Sequence, residues 1–416
     1  MAAKPTADRL RIFLAAFLRS LGVGMTGVLL AIYLSSIGWS VRGTGLLVAA
    51  GLAGAAAATL LTSLLAERLG RRRTLVTLAL LNALGALSLA FLRRPGPLLL
   101  AAFFGLVNGL GRDRGPAYAL EQALLPETTT PERRTYVLAW YGLLLDAGLA
   151  LGSLLAGVPS WLRQRWDWQP ESAYQATWIF SAALALVAAT ISATLSPRVE
   201  VAAPSVSDGN GEGSRRFWPE LAPESRRRIA GLAALTGMDS LGGGFLTGAL
   251  VSYWFFRRFG VGEAWLGQLF FGARVANACS HLVAAWLARR IGLLNTMVFT
   301  HVASSLFLLA VPFASSMGWA TALFLVREGL VEMDVPTRQS YILAVVRPAE
   351  RAFASGMTTL TRNVAYALAP AGAGYAMSGL ALASPLFLGA GTKIAYDLLL
   401  YFSFRRLKPP EERNRE

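Results

Sequence analysis

Apolar residues in this chain neither alternate with polar ones nor form a single helical stripe. They come in long runs separated by short charged or Gly/Pro-containing breaks. A hydropathy window of about 19 residues predicts twelve spans, at roughly 10–36, 43–66, 74–92, 97–122, 135–158, 173–195, 229–256, 263–288, 294–313, 319–345, 352–378 and 384–404. Each is long enough to cross a hydrocarbon core of about 30 Å at about 1.5 Å per residue. Lipid offers no partners to backbone N–H and C=O groups, so spanning segments are helices or closed barrels. The runs lack the period-2 pattern of a barrel, and the pattern predicts an all-α integral membrane protein.

The breaks are not equal. The stretch "PRVEVAAPSVSDGNGEGSRRFWPELAPES", residues 197–225, is rich in Gly, Ser, Pro and charge and reads as a flexible linker. It divides the chain into an N-terminal six-helix bundle (1–196) and a C-terminal one (226–416). The two parts echo each other. "LAERLGRRRTLV" from Leu65 aligns with "LARRIGLLNTMV" from Leu287, "RSLGVG" from Arg19 with "DSLGGG" from Asp239, and Pro116 with Pro336, at offsets of 220 to 222. Two pseudo-symmetric bundles are expected.

Composition narrows the class. The chain is 54% hydrophobic and 15% charged, with a net charge of +15. In a soluble protein that charge would suggest nucleic acid, but membrane proteins gather Arg and Lys in cytoplasmic loops. With both termini cytoplasmic, most basic residues fall inside, including Arg68, Arg71–Arg73, Arg226–Arg228, Arg289, Arg290, Arg405 and Arg406. A multi-pass protein of the plasma (inner) membrane is expected, with no nucleic-acid partner. The N-terminal "MAAKPTADRLRIFLAAFLRSLG" resembles a signal peptide, yet Arg19 interrupts it and apolar character continues to Gly38, which suits an uncleaved first span. Cys279 stands alone, His281 points to a different helix face, and His301 is isolated, so neither an internal disulfide nor a metal or other cofactor is expected. Neither a nucleophile–base spacing nor a phosphate-binding G-x-x-x-x-G-K-[ST] loop stands out, which argues against an enzyme and against ATP as driver.

Several segments resemble the major facilitator superfamily. "SLLAERLGRRR" (Ser63 to Arg73) resembles that family's loop signature between helices 2 and 3, with Ser63 for Gly and Glu67 for Asp. "GLALGSLLAG" (Gly148 to Gly157) resembles the helix-5 signature associated with antiporters, with Ser153 for Pro and Ala156 for Gly, and "AYALAPAGAG" from Ala365 is its helix-11 counterpart. "RDRG" (Arg112 to Gly115) echoes the helix-4 pattern. The resemblance implies twelve helices in two bundles, with helices 1, 4, 7 and 10 lining a central cavity and 3, 6, 9 and 12 facing lipid. It also implies a loop at Glu67, Arg68, Gly70 and Arg71 that acts as a conformational latch.

Charges within the spans follow that division. Helix 1 has Arg19, helix 4 Arg112, Asp113 and Arg114, helix 7 Asp239, and helix 10 Arg327, Glu328, Glu332, Asp334 and Arg338. At offset 220, Arg19 falls on Asp239, Arg112 on Glu332 and Arg114 on Asp334, always arginine opposite carboxylate. The expectation is three ion pairs across the cavity, which would offset the cost of burying charge in the membrane. Lys393 and Asp397 on helix 12 are spaced to pair with each other, and Glu121 is expected at the interface. Asp146 and Arg362 are second-rank cavity groups, and Tyr253 could stack on a substrate. Arg19, Arg112, Arg114, Tyr253 and Arg327 are therefore the expected substrate-binding residues. Asp239, Glu332 and Asp334, with Asp113 behind them, are the expected proton carriers, because a carboxylate in a low-dielectric cavity is readily protonated. The expected activity is secondary active transport by a monomer, a proton-coupled exporter of a small organic solute. Alternatives are an organic-anion importer and, outside transport, a membrane sensor or assembly partner.

Overall fold

The computed structural model describes residues 5–200, 223–333 and 351–404, and all regular structure within them is helical. In chain order the helices are α1 (Pro5–Ser36), α2 (Val41–Leu69), α3 (Arg71–Phe91), α4 (Pro95–Phe104), α5 (Pro116–Leu124), α6 (Arg134–Leu155), α7 (Val158–Trp166) and α8 (Pro170–Ala193). They continue with α9 (Pro223–Phe245), α10 (Gly248–Phe259), α11 (Glu263–Ile291), α12 (Leu293–Ala310), α13 (Met317–Val331), α14 (Arg351–Gly379) and α15 (Ser384–Phe404). Seven helical segments among the described residues are long and apolar enough to span a bilayer unaided. Local chemistry sets several starts. Proline occupies the first turn of α4, α5, α7 and α8, where a missing N–H costs nothing. Ser40, Thr247 and Ser316 cap α2, α10 and α13 through their hydroxyl oxygens.

Four predicted spans differ from what forms. The span expected at 97–122 is two helices, α4 and α5, separated by irregular backbone over 105–115. That stretch holds Gly105, Gly109, Gly111 and Gly115, with Leu106 at φ 53° and Gly111 at φ 73°, both in the left-handed region. Irregular backbone survives at membrane depth only when protein covers it. Here α2 supplies the cover: Gly51 lies so close to the Val107 carbonyl that a Cβ would overlap it. The span expected at 229–256 breaks between Phe245 and Gly248. The helix expected at 135–158 runs to Leu155, is interrupted at Ala156 and Gly157, and resumes as α7. The span at 319–345 is helical to Val331, and residues 334–350, with Asp334 and Arg338, lie outside the described residues.

The packing repeats. In the first half α1 packs on α6 and α8, α3 on α8, and α2 on α4. In the second half the corresponding helices make the same pairs: α9 on α14 and α15, α12 on α15, and α11 on α13. Between the halves α2 meets α14 and α6 meets α11, which are equivalent contacts under the same exchange. A duplicated sequence with duplicated apolar faces solves its packing problem twice in the same way.

One end of the molecule, here the terminal end, holds the start of α1 and the finish of α15; the other is the distal end. Contacts between halves gather in the distal part. Arg163 of α7 donates to Glu263 at 3.0 and 3.1 Å, and the Tyr174 hydroxyl donates to the same carboxylate. Arg42 donates to Ser378 at 2.5 Å and covers the Tyr375 ring at 5.4 Å. Gly157 packs on Ala264, and Gly267 on the Ser153 carbonyl.

Candidate functional site

The site is built on helix interruptions. Asn108 spans the irregular segment by donating to the Arg112 carbonyl (2.8 Å) and accepting from the Leu110 N–H (3.0 Å). Its amide replaces hydrogen bonds the helix gave up. The Gly109 and Leu110 carbonyls are then free to accept from outside, while the first N–H groups of any helix need partners. Those of α10 find them here: Gly248 N–H donates to Leu110 O at 3.2 Å, and Ala249 N–H to Gly109 O at 3.1 Å. Two broken helices from opposite halves thus satisfy each other, main chain to main chain. Gly27 of α1 backs this clasp, since a Cβ on it would lie 2.5 Å from the Gly111 Cα.

On the terminal side of the clasp lies a polar cavity between the halves, lined by charges from the break before α5, from α9, α11, α14 and α15, and from α13 and its C-cap. An adjoining chamber of about 230 Å³ reaches α6 through Tyr141 and Asp146. Arg112 Nη1 pairs with Glu332 Oε1 across the cavity, and Arg114 Nη2 lies 3.6 Å from the other Glu332 oxygen. Both partners occupy discontinuities, Arg112 in the break before α5 and Glu332 at the C-cap of α13. Glu328 pairs with Arg327 and accepts from Asn277 at 3.0 Å. Arg274 lines both chambers and forms no ion pair with any described residue.

The other expected cross-cavity pair does not form. Arg19 turns into its own half. Its Nε donates to Asp113 at 2.9 Å and its two terminal nitrogens to Glu121, each at 2.6 Å. Ser20 and Tyr141 complete the cluster by donating to Asp113 (2.9 Å) and Glu121 (2.6 Å). Glu121, expected at the interface, is thus buried and ties α5 to α1 and α6. Asp239 likewise stays in its half and accepts from Lys393 at 2.8 Å. Lys393 does not pair directly with Asp397. His301 stands between them, accepting from Lys393 at Nε2 (3.1 Å) and contacting Asp397 Oδ1 through Nδ1 (2.9 Å). At this level the cavity separates α1 from α9, and each charge takes a nearer partner on a neighbouring helix. Tyr253 is also displaced. It sits beyond the clasp in the apolar core, with Arg257 over its ring at 5.9 Å, and is not part of the cavity wall.

Among the described residues, the loop around Gly70 contacts the first half and the start of the linker. Arg71 reaches Glu127 at 2.8 Å and Glu67 at 3.7 Å, while Glu67 and Arg68 are exposed. The Glu200 carboxylate accepts from the Arg71 and Arg72 N–H groups at 2.6 and 3.2 Å, an anion at the N-terminus of α3. Sequence reasoning missed Arg274, Asn277, Glu200 and the His301–Asp397 contact. The available signal was the presence of ionisable residues in otherwise apolar helices α11, α12 and α15, each of which needs a partner.

The family model described as Major Facilitator Superfamily matches residues 12–370. The chain is similar to the uncharacterized membrane protein YJR124C of Saccharomyces cerevisiae, 24% identical over 94% of this chain and 93% of that protein. Its fold resembles the nucleoside transporter NupG (TM-score 0.71, 13% identity, 96% of this chain and 99% of that one). It also resembles the xylose transporter XylE from E. coli in a partially occluded inward-open conformation (TM-score 0.70, 14% identity, 99% of each chain). A third likeness is to an inward-facing bacterial homolog of the human lysosomal transporter Spinster (TM-score 0.67, 14% identity, 97% and 96%).

Proposed function

The chain belongs to the major facilitator superfamily, a secondary transporter and not an enzyme, and we propose that it exports a small organic solute in exchange for protons. Two lobes, 1–196 and 226–416 joined by 197–225, rock about the central cavity to give alternating access. The observation that carries this reading is the Arg112–Glu332 pair, which joins the lobes inside a cavity whose distal side is closed by the clasp. The distribution of Arg and Lys supports a cytoplasmic terminal end, and in this reading the conformation is inward-facing.

Export is favoured by where the antiporter-like segment sits. Gly152 packs on the Leu21 carbonyl of α1, and Ser153 and Gly157 meet α11, so these residues lie where distal closure is made. Asp239, Glu332 and Asp334 are the proton carriers in this reading, and the loop from Glu67 to Arg71 is the latch, anchored through Glu127 and Glu200. Proteoliposomes containing a pH-sensitive dye test it: an outward solute gradient from a metabolite and drug panel should move protons the opposite way. Solute movement in the same direction as protons would refute exchange, and a protein inert to the whole panel would favour the sensor reading. A second reading, transport of an organic anion, is favoured by Arg274, a cavity cation without a carboxylate partner among the described residues. In that case anionic members of the panel should be carried and their neutral amides should not.

A further inference from the structure

Another cavity lies inside the first half, behind the irregular segment 105–115. It is a slot of about 60 Å³ between α1, α3, α5 and α8. Its lining runs along α8 from Ser181 to Ser192 and along α1 from Ala15 to Val23. At about 1.5 Å per helical residue that is a length of about 12–16 Å. Leu75 and Leu78 of α3, Leu106, and Ala185 of α8 make much of the wall apolar. A small volume drawn out over this length has the shape of a short hydrocarbon chain. Asn108 and Gly115 form the partition, since they line both this slot and the space that faces Arg362 and Tyr366 of the other half.

Two uncharged polar side chains of the lining are left unsatisfied. Ser181 is 6% exposed, and its hydroxyl makes no hydrogen bond among the described residues. Its neighbours on α8 behave differently. Thr177 and Ser192 donate to the Ala173 and Ala188 carbonyls at 2.8 Å, the ordinary solution for a hydroxyl within a helix. Ser181 Oγ instead hangs over α1, where a Cβ on Gly22 would lie 3.4 Å away. Asn82, midway along α3, also lines the slot and makes no side-chain hydrogen bond among the described residues. Hydrocarbon supplies no partner at this depth, so each group is costly until something in the slot bonds to it. The charged residues of the lining are already matched to one another. Arg19 donates to Asp113 and Glu121 over 2.6 to 2.9 Å. A charged ligand would add an uncompensated charge beside them. An uncharged ligand carrying a donor and an acceptor would satisfy Ser181 and Asn82 and lay an apolar body against the leucines.

We propose that this slot is a second ligand site, separate from the cavity between the halves, for a small uncharged amphiphile with a hydroxyl or amide head and a short hydrocarbon body. The head bonds to Ser181 and Asn82, and the body fills the apolar length. The position of the site gives it a modulating role. Asn108 lines the slot and, through the Arg112 carbonyl and the Leu110 N–H, holds the segment whose carbonyls form the clasp. An occupant packed against Leu106 and Asn108 therefore supports the closed clasp from behind, and closure of the clasp in turn tightens binding. Binding in the slot depends neither on the solute carried nor on proton coupling.

A cysteine placed in the slot reads its occupancy. Cys279 is the chain's one cysteine, so Cys279→Ser with Ala185→Cys leaves a single thiol one turn from Ser181. In nanodiscs, intact mass should show that thiol modified by the uncharged reagent hexyl methanethiosulfonate. 1-Hexanol should slow the reaction several-fold, whereas hexyltrimethylammonium and hexanoate at the same membrane concentration should not. With Ser181→Ala and Asn82→Leu added, 1-hexanol should protect no better than hexane, while helix content by circular dichroism is unchanged. A thiol that stays unmodified, or one that 1-hexanol never protects because the slot holds water alone, would overturn the site. Equal protection by the charged chains, or an advantage of 1-hexanol over hexane that survives loss of both polar groups, would overturn the ligand class. For the link to the clasp, spin labels at Arg94→Cys and Leu380→Cys in a Cys279→Ser background report distal closure. 1-Hexanol should raise their short-distance fraction, and the response should vanish when Ser181→Ala and Asn82→Leu are present. An unchanged fraction with 1-hexanol bound would overturn the modulating role. A protein that carries no solute yet shows the protection pattern would refute the transport reading and leave the site standing.

Discussion

Neutralising Glu332 tests whether a charge pair holds the distal-closed conformation. Its side chain is 6% exposed, and that of Arg112 is 22% exposed. Removing one member of a buried pair costs about 3–5 kcal/mol. The lower end applies here because the Arg112 head faces a cavity that can admit water. The remaining charges work in the same direction: with Glu332 neutral, Arg112, Arg114 and Arg274 stay close together with one fewer carboxylate among them. About 3 kcal/mol corresponds to roughly a hundredfold change in a two-state equilibrium. Arg112 lies two residues from Leu110, whose carbonyl is part of the clasp, so opening the distal end draws the pair apart and the full cost falls on the closed state. The assay uses a Cys279→Ser background with spin labels at Arg94→Cys and Leu380→Cys, two exposed distal positions in opposite halves. Glu332→Gln should move the distance distribution from a short to a long population. The double exchange Arg112→Glu with Glu332→Arg should restore much of the short population. An unchanged distribution in Glu332→Gln, or a double exchange no better than the worse single variant, would refute the argument.

Four further outcomes follow from other positions. Glu263→Gln weakens the bonds from Arg163 and Tyr174, and because Arg163 is 27% exposed the effect should be about 1 kcal/mol, seen as a smaller shift of the same label distances. Gly248→Val puts a side chain against the Gly27 carbonyl, where even a Cβ would lie at 2.9 Å; it should open the distal end while leaving the helix content measured by circular dichroism unchanged. Glu200→Gln removes the anion from the start of α3 and should cost about 1 kcal/mol, lowering the thermal midpoint in detergent, whereas Glu67→Ala, at an exposed position, should change transport rate with ligand affinity held within a few-fold.

Much of this architecture was legible because a bilayer leaves the backbone so few choices. Long apolar runs must become helices, and two similar sets of runs at an offset of 220 must pack alike, so the all-helical class and the repeat followed from pattern alone, while the number of separate helices did not. Ionisable residues inside those runs had to have partners, which pointed correctly to a charged centre and to Arg112 opposite Glu332. Symmetry could not say which partner each charge takes. Arg19 and Asp239 align by duplication, yet Arg19 binds Asp113 and Glu121 while Asp239 binds Lys393, because a few ångströms of proximity outweigh equivalence in sequence. Nor did hydropathy reveal the breaks at 105–115 and 246–247, since a glycine-rich apolar stretch reads the same wound or unwound. Only packing decides between them. The open backbone is stable because α2 covers it and because the first N–H groups of α10 meet the carbonyls it leaves free.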